Sequence, residues 1–283
     1  MKLHEIYMRD PYLFVENGVG YLVGTTDEQC WDGCASGFQG YKTRDLENFE
    51  GPFPLFERTD DFWANENFWA PEIHAYGGKY YMFASFYRKG MRRATQALVS
   101  DTPFGRYVPA AKPFTPPHWD CLDGTFFVEN QIAYTVFCRE WLDCSNGEIY
   151  LGQLNANFDG LINEPQLLFR AGDAPWVRSH NGKDFVTDAP FLYPLKSGKL
   201  LMLWSSHGEK GYALGTAVSE NGIKGPWKHH AEPLFEKDGG HGMIFSWKGK
   251  QYLSLHAPNM PHLSERPRFY EIEEKEDNIV IKS

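Results

Sequence analysis

Several absences narrow this sequence before any motif is considered. No apolar run approaches the roughly 18 residues of a membrane-spanning helix, so no membrane partner is expected. Positive charge is in deficit: 28 Lys and Arg stand against 37 Asp and Glu, a net charge of −9 with a pI near 5.6. That balance argues against a polyanion partner such as nucleic acid. Cysteine is scarce and odd in number, at positions 30, 34, 121, 138 and 144. Neither Cys30-x3-Cys34 nor Cys138-x5-Cys144 has the CxxC spacing or neighbouring His of a zinc site, so reduced thiols are expected. Helical periodicity, linkers and low-complexity segments are missing as well. The N-terminus, Met1 to Phe14, lacks the apolar core and small-residue cleavage site of a signal peptide; the expected location is the cytoplasm.

Aromatic residues, glycine and proline are abundant. Of 283 residues 16% are aromatic, 27 are Gly and 18 are Pro, a composition that favours strands and turns. Within Arg9 to Thr26 an Asp10-Pro11 pair precedes the apolar run Tyr12 to Val15. The turn Glu16-Asn17-Gly18 and a second run, Gly20 to Gly24, complete it. Asn-Gly between β-prone runs is a strong hairpin signal, because both residues tolerate positive φ. Similar hairpins begin at Glu72, Asp123, Asp188 and His241, about 50–65 residues apart, which is the period of propeller blades. Third strands can be read at Gly40–Lys42, Thr95–Val99, Ile149–Leu151, Tyr212–Gly215 and Arg268–Tyr270, and fourth strands at Pro54–Phe56 and Gln166–Phe169. Four strands in each of five units predict an all-β, five-bladed β-propeller occupying residues 1–283 as a single domain. A β-sandwich or β-helix is the alternative.

In a propeller the first strand of each blade lines the central channel. The five blade-start residues, Asp10, Glu72, Asp123, Asp188 and His241, are thus expected to ring one cavity. Taken singly, an Asp before a strand caps a turn with its own side chain. Five in one phase suggest more. Facing acids cannot all stay ionised, so at least one pKa should rise. A protonated carboxyl beside an ionised one is the pair that glycosidic bond cleavage uses.

The ordered set Arg9-Asp10-Pro11-Tyr12, Trp69-Ala70-Pro71-Glu72, Leu122-Asp123-Gly124, Asp188-Ala189-Pro190 and Gly240-His241-Gly242 resembles family 43 of the glycoside hydrolases, over essentially the whole chain. The resemblance implies a five-bladed propeller that hydrolyses α-L-arabinofuranosides, β-D-xylosides and related linkages with inversion. It implies Asp10 as general base and Asp123 as the residue that tunes the acid and orients the sugar. The family's acid lies in a Glu-Gly-Pro motif, whereas this chain has Asp188-Ala189-Pro190. Either Asp188 serves with a shorter reach, or Glu72, Glu148 or Glu209 replaces it, or the protein only binds sugar. The resemblance also places His241 near a hydrated central cation, often calcium, which one histidine would reach only through water. No cofactor is otherwise expected.

Among the loop aromatics Trp31, Trp63, Phe68, Trp69, Trp119, Trp141 and Trp176, the choice for a sugar platform or pocket wall is Trp69, beside the second blade start. Glu72, His241 and, on the last blade, Arg268 are the other candidate substrate contacts. The leading expectation is an inverting, exo-acting glycosidase on short arabino- or xylo-oligosaccharides. The alternatives are a non-catalytic sugar-binding propeller and a glycoside phosphorylase. The last would need a phosphate cradle, for which only Arg88, Lys89, Arg92 and Arg93 offer themselves, as a solvated basic patch.

Overall fold

The computed structural model describes residues 1–282. Five antiparallel four-stranded sheets, each from one continuous stretch of chain, are arranged around a central channel. Their innermost strands are Arg9–Glu16, Glu66–Tyr76, Cys121–Glu129, Asp188–Pro194 and Gly240–Trp247. Four of the five inner hairpins close through two residues of positive φ: Asn17-Gly18, Gly77-Gly78, Asn130-Gln131 and Lys248-Gly249. This is the backbone a tight twisted hairpin requires. All seven of the third and fourth strands read from the sequence fall within observed strands. Helix is confined to Trp141–Cys144 and two 3-10 turns at Leu3–Glu5 and Ala171–Asp173. Between blades the packing is aromatic. Phe38 of the first blade meets Phe86 of the second edge-on at 5.8 Å, and Trp176 lies 4.9 Å from Trp204 in the fourth.

Each inner strand begins with the same β-bulge. Its first residue has φ near +50°: Asp10 (54°), Ala70 (48°), Asp123 (52°), Ala189 (54°) and His241 (55°). Its second residue is always Pro or Gly: Pro11, Pro71, Gly124, Pro190 and Gly242. Proline has no N–H to lose from the ladder. A Cβ on Gly242 would stand 2.6 Å from Leu214. The true phase of the blade starts is therefore 10, 70, 123, 189 and 241, which corrects two of the positions expected from sequence. Glu72 lies two residues past the bulge and Asp188 one residue before it.

A bulge leaves its N–H without a ladder partner, and a buried N–H must find one elsewhere. The preceding blade supplies it. Thr25 Oγ1 accepts from Ala70, Ser85 Oγ from Asp123, Ser205 Oγ from His241, and His256 Nδ1 from Asp10, at 2.8–3.1 Å. Each acceptor is paired across the hairpin with the residue just before its own blade's bulge. The third blade has Cys138 at this place, and the Ala189 N–H goes to Asp123 Oδ2 instead, at 3.0 Å. One carboxylate is thus fixed by the same device that locks the ring together.

No strand is shared between the chain's two ends, so side chains close the ring. Arg9 bonds Glu265 Oε1 (2.5 Å) and Asn259 Oδ1 (2.8 Å), and Ser254 Oγ donates to the Pro11 carbonyl (2.8 Å). If these cross-blade acceptors hold the ring, Ser205→Ala strands the buried His241 N–H. Unfolding stability should fall by about 1–3 kcal/mol. Urea denaturation followed by tryptophan fluorescence measures it, and an unmoved midpoint would contradict the role given to Ser205.

Candidate active site

Above the bulges lies a cavity of about 580 Å³. Asp10, Asp123 and His241, all bulge residues, form its floor, while Arg9, Trp69, Leu122 and Asp188, all one residue earlier, contribute to its wall.

The floor is organised around Asp10. Its Oδ2 accepts from Thr25 Oγ1 (2.6 Å), and its Oδ1 lies 3.0 Å from His241 Nδ1 and 3.5 Å from His256 Nδ1. Burial alone would raise its pKa, but the charge and hydrogen bond of His241 outweigh burial and hold the carboxyl well below its usual range. His241 moves the other way. Against its own burial, Asp10 and then Asp123 raise it to about 9. His256 is different again: burial, then Arg9, push it down to about 3. Its tautomer follows from its partners, since Nδ1 accepts from the Asp10 amide and Nε2 donates to Asn259 Oδ1 (3.2 Å). One histidine beside Asp10 is thus a cation and the other neutral.

Asp188 carries the opposite protonation state to Asp10. Burial first, then the nearby charge of Asp123, raise its pKa to about 7. Burial likewise raises Asp123. Tyr212 donates its hydroxyl to Asp188 Oδ2 (3.0 Å) while its ring stacks on His256 at 5.6 Å. Oδ1 of Asp188 is left to carry a transferable proton.

The wall opposite is built on arginine. Arg93 bonds Glu140 Oε2 (3.0 Å) and Asn67 Oδ1 (3.2 Å) and lies over the Trp69 ring at 4.1 Å. Arg9 lies over Trp31 at 4.8 Å, and the two indoles meet edge-on at 5.2 Å. Trp69 also donates Nε1–H to the Cys30 carbonyl (2.8 Å), so it is a fixed wall with one face already covered. Trp31, Trp69 and Trp141 line the cavity. Phe68 and Trp176 are buried in packing, Trp63 bonds Gln96, and Trp119 stacks on Tyr150.

Several expected contacts are placed elsewhere. Glu72 is outside the cavity lining, its Oε2 accepting from Thr125 Oγ1 (2.7 Å) and facing His74 Nε2 (2.9 Å). Arg268 is on the third strand of the last blade, opposite Leu255, beside a surface depression with His4 and Tyr270. The spare acids fare no better: Glu148 is tied to Arg139, Arg170 and Tyr150, and Glu209 sits in the turn after Gly208. The basic patch is not a free cradle. Arg93 is buried against Glu140, and Arg92 is paired with Asp120 and Asp143.

His241 Nδ1 is committed to Asp10, so a hydrated cation such as calcium would meet this residue only through Nε2, with water supplying most of its oxygens. Among the described residues no group of three or more His, Cys, Asp or Glu is placed to hold a metal. Reading the sequence passed over Arg9, Glu140, Tyr212, His256 and Asn259 as site residues, and weighed Arg93 only as part of a basic patch. The Pro-or-Gly second bulge residue would have marked the wall position, because the residue two before it faces the cavity in four blades.

A propeller cavity holding one ionised and one protonated carboxyl defines a protein equipped for acid–base cleavage of a glycosidic bond. Comparison with known proteins narrows this. A model of the family described as Glycosyl hydrolases family 43 matches residues 5–278, and the chain belongs to that family of glycoside hydrolases. It is 38% identical to a Bacteroides thetaiotaomicron endo-arabinase whose crystal structure it matches with a TM-score of 0.89 over 97% of each chain. A Bacteroides ovatus xylosidase/arabinosidase is 28% identical over 300 residues, covering 88% of this chain and 86% of that one. An endo-1,4-beta-xylanase of Bacteroides thetaiotaomicron shares the fold at 22% identity, with a TM-score of 0.79 over 98% of this chain and 95% of that one.

The raised pKa of His241 has a consequence for stability. Its ion pair contributes fully below the unfolded value of 6.5, and the contribution is lost as pH rises toward about 9. Nitrogen NMR of His241 should therefore show an imidazolium at pH 7.5. A ring already neutral at that pH would contradict the Asp10–His241 pairing.

Proposed function

We propose that this hydrolase cleaves short arabinofuranosyl- or xylosyl-containing oligosaccharides with inversion of configuration, Asp10 acting as base and Asp188 as acid. The observation that carries this reading is the divergence of the two carboxyls: His241 keeps Asp10 ionised, while burial and the Asp123 charge keep Asp188 protonated. The similarity to an endo-arabinase and to a xylosidase/arabinosidase supports the choice of pentose.

Asp10 takes a proton from water as the water oxygen attacks the anomeric carbon. The bond to the leaving oxygen breaks on the opposite side, and that oxygen receives the Asp188 Oδ1 proton. The products are a hemiacetal of inverted configuration and an alcohol. Solvent then restores both carboxyls. The strong pairing with His241 makes Asp10 a weak base, which suits an oxocarbenium-like transition state whose electrophile drives the attack. Asp123, oriented by the Ala189 amide, sits on the floor between the two and holds the proton on Asp188. Asp188 is one methylene shorter in reach than the family's usual Glu, and it lines the cavity one residue before the bulge. No step requires a metal, and the substrate is the only partner the reading needs.

Asp10→Asn should lower kcat on an aryl arabinofuranoside or xyloside by about 10²–10⁴-fold with the fold retained. Activity within twofold of wild type would remove Asp10 as base. The profile of kcat/KM against pH tests the acid: the protonated form is lost on going up through about 7, so activity should fall about tenfold per pH unit above that point. A plateau extending to pH 9 would contradict Asp188 as the acid.

A further inference from the structure

The acid fixes where the leaving group lies. Its oxygen must come within hydrogen-bond reach of Asp188, so the departing part of the substrate lies on the Asp188 side of the cavity. From Asp188 a continuous row of side chains runs along the cavity. Tyr212 bonds Asp188; His207 meets the Tyr212 ring edge-on at 5.9 Å; His180 lies against His207 with ring centres 4.5 Å apart; and Trp141 lies 5.5 Å from His180. All line the cavity, together with Leu142, which is 63% exposed.

The two imidazoles are joined by one hydrogen bond, His180 Nδ1 to His207 Nε2, at 3.0 Å. One proton sits between two nitrogens. If His180 donates, its Nε2 is an acceptor and His207 Nδ1 a donor; if His207 donates, both roles reverse. Neither outer nitrogen has a protein partner among the described residues, and neither is a buried atom lacking one. In each tautomer the pair therefore presents one donor and one acceptor, interchangeable by shifting a proton along the bond. A hydroxyl is likewise both donor and acceptor. Burial and the neighbouring His180 lower the His207 pKa, in keeping with a neutral His207 ring.

We propose that His180 and His207, flanked by Trp141 and Leu142, form the subsite for the leaving group, and that its occupant is a hydroxylated sugar ring. The imidazole pair takes one or two sugar hydroxyls, and the indole and leucine cover the ring's C–H face. The inference rests on the acid assignment made above. It explains why exposed apolar surface stands beside a polar pair at this edge of the cavity. A purely apolar pocket discriminates weakly for a hydroxyl, whereas a site built to bond one discriminates strongly.

The test separates leaving groups. kcat/KM is measured on arabinobiose or xylobiose, whichever the wild-type enzyme cleaves, and on the matching glycosyl fluoride, whose leaving group cannot fill a sugar subsite. In His180→Ala the ratio of disaccharide to fluoride kcat/KM should fall about tenfold or more, the loss expected for one or two hydrogen bonds. His180→Gln, which keeps a donor and an acceptor, should recover part of that ratio. An unchanged ratio in His180→Ala, whether both rates fall together or neither moves, overturns the subsite. Wild-type enzyme that cleaves neither substrate overturns the hydrolytic reading itself, and the subsite with it.

Discussion

A buried carboxylate held by a buried imidazolium is the constraint on which the rest of this structure depends. Asp10 and His241 are separated by most of the chain, yet each begins the inner strand of its blade, and the two blades are neighbours across the point where the ring closes. Isolated, either charge would be costly to bury; paired at 3.0 Å, with Thr25 on the other carboxylate oxygen, the anion is kept at every pH near neutrality. The Asp10 amide goes to His256, and His256 goes to Asn259, which also holds Arg9. Ring closure and base ionisation are thus one network, and loosening either disturbs the other.

The five repeated bulges explain why three acids in nearly equivalent places behave differently. Asp10 and Asp123 occupy the same bulge position and share a floor, but His241 is close to the first, at 3.0 Å, and distant from the second, at 4.0 Å. Asp123 occupies the amide-accepting role that a hydroxyl fills in other blades, because Cys138 stands where Thr, Ser or His would be. Asp188 is displaced by one residue onto the wall, away from the imidazolium and under the influence of Asp123. Departures from five-fold regularity, not the regularity itself, give two carboxyls in one cavity opposite pKa shifts.

Much of this was legible in the sequence because hairpins announce themselves locally. Asn17-Gly18 and Gly77-Gly78 specify their turns through φ alone, and the spacing of apolar runs specifies the blades. The trio proposed to be catalytic came from family likeness more than from phase, since the alignment of blade starts placed Glu72 two residues and Asp188 one residue away from the bulge. Acidic character misled it; the Pro-or-Gly residue that follows each bulge was the better marker. The wall was largely illegible. Arg93, Glu140 and Tyr212 arrive from a third strand and loops of three different blades, and only the fold brings them together. Arg268 misled for the reverse reason: its blade is near the cavity, but its strand is third from the channel.

The central claim is that, near neutral pH, one carboxyl in the cavity is protonated and that it belongs to Asp188 rather than Asp10. Infrared difference spectra between pH 6 and pH 9 report this directly, through the C=O stretch of a buried carboxylic acid. The account predicts a band at pH 6 that disappears by pH 9, persists in Asp10→Asn and in Asp188→Asn loses the part that titrates near 7, leaving only the Asp123 part that titrates near 6. A band that vanishes in Asp10→Asn and remains unreduced in Asp188→Asn would reverse the assignment of acid and base.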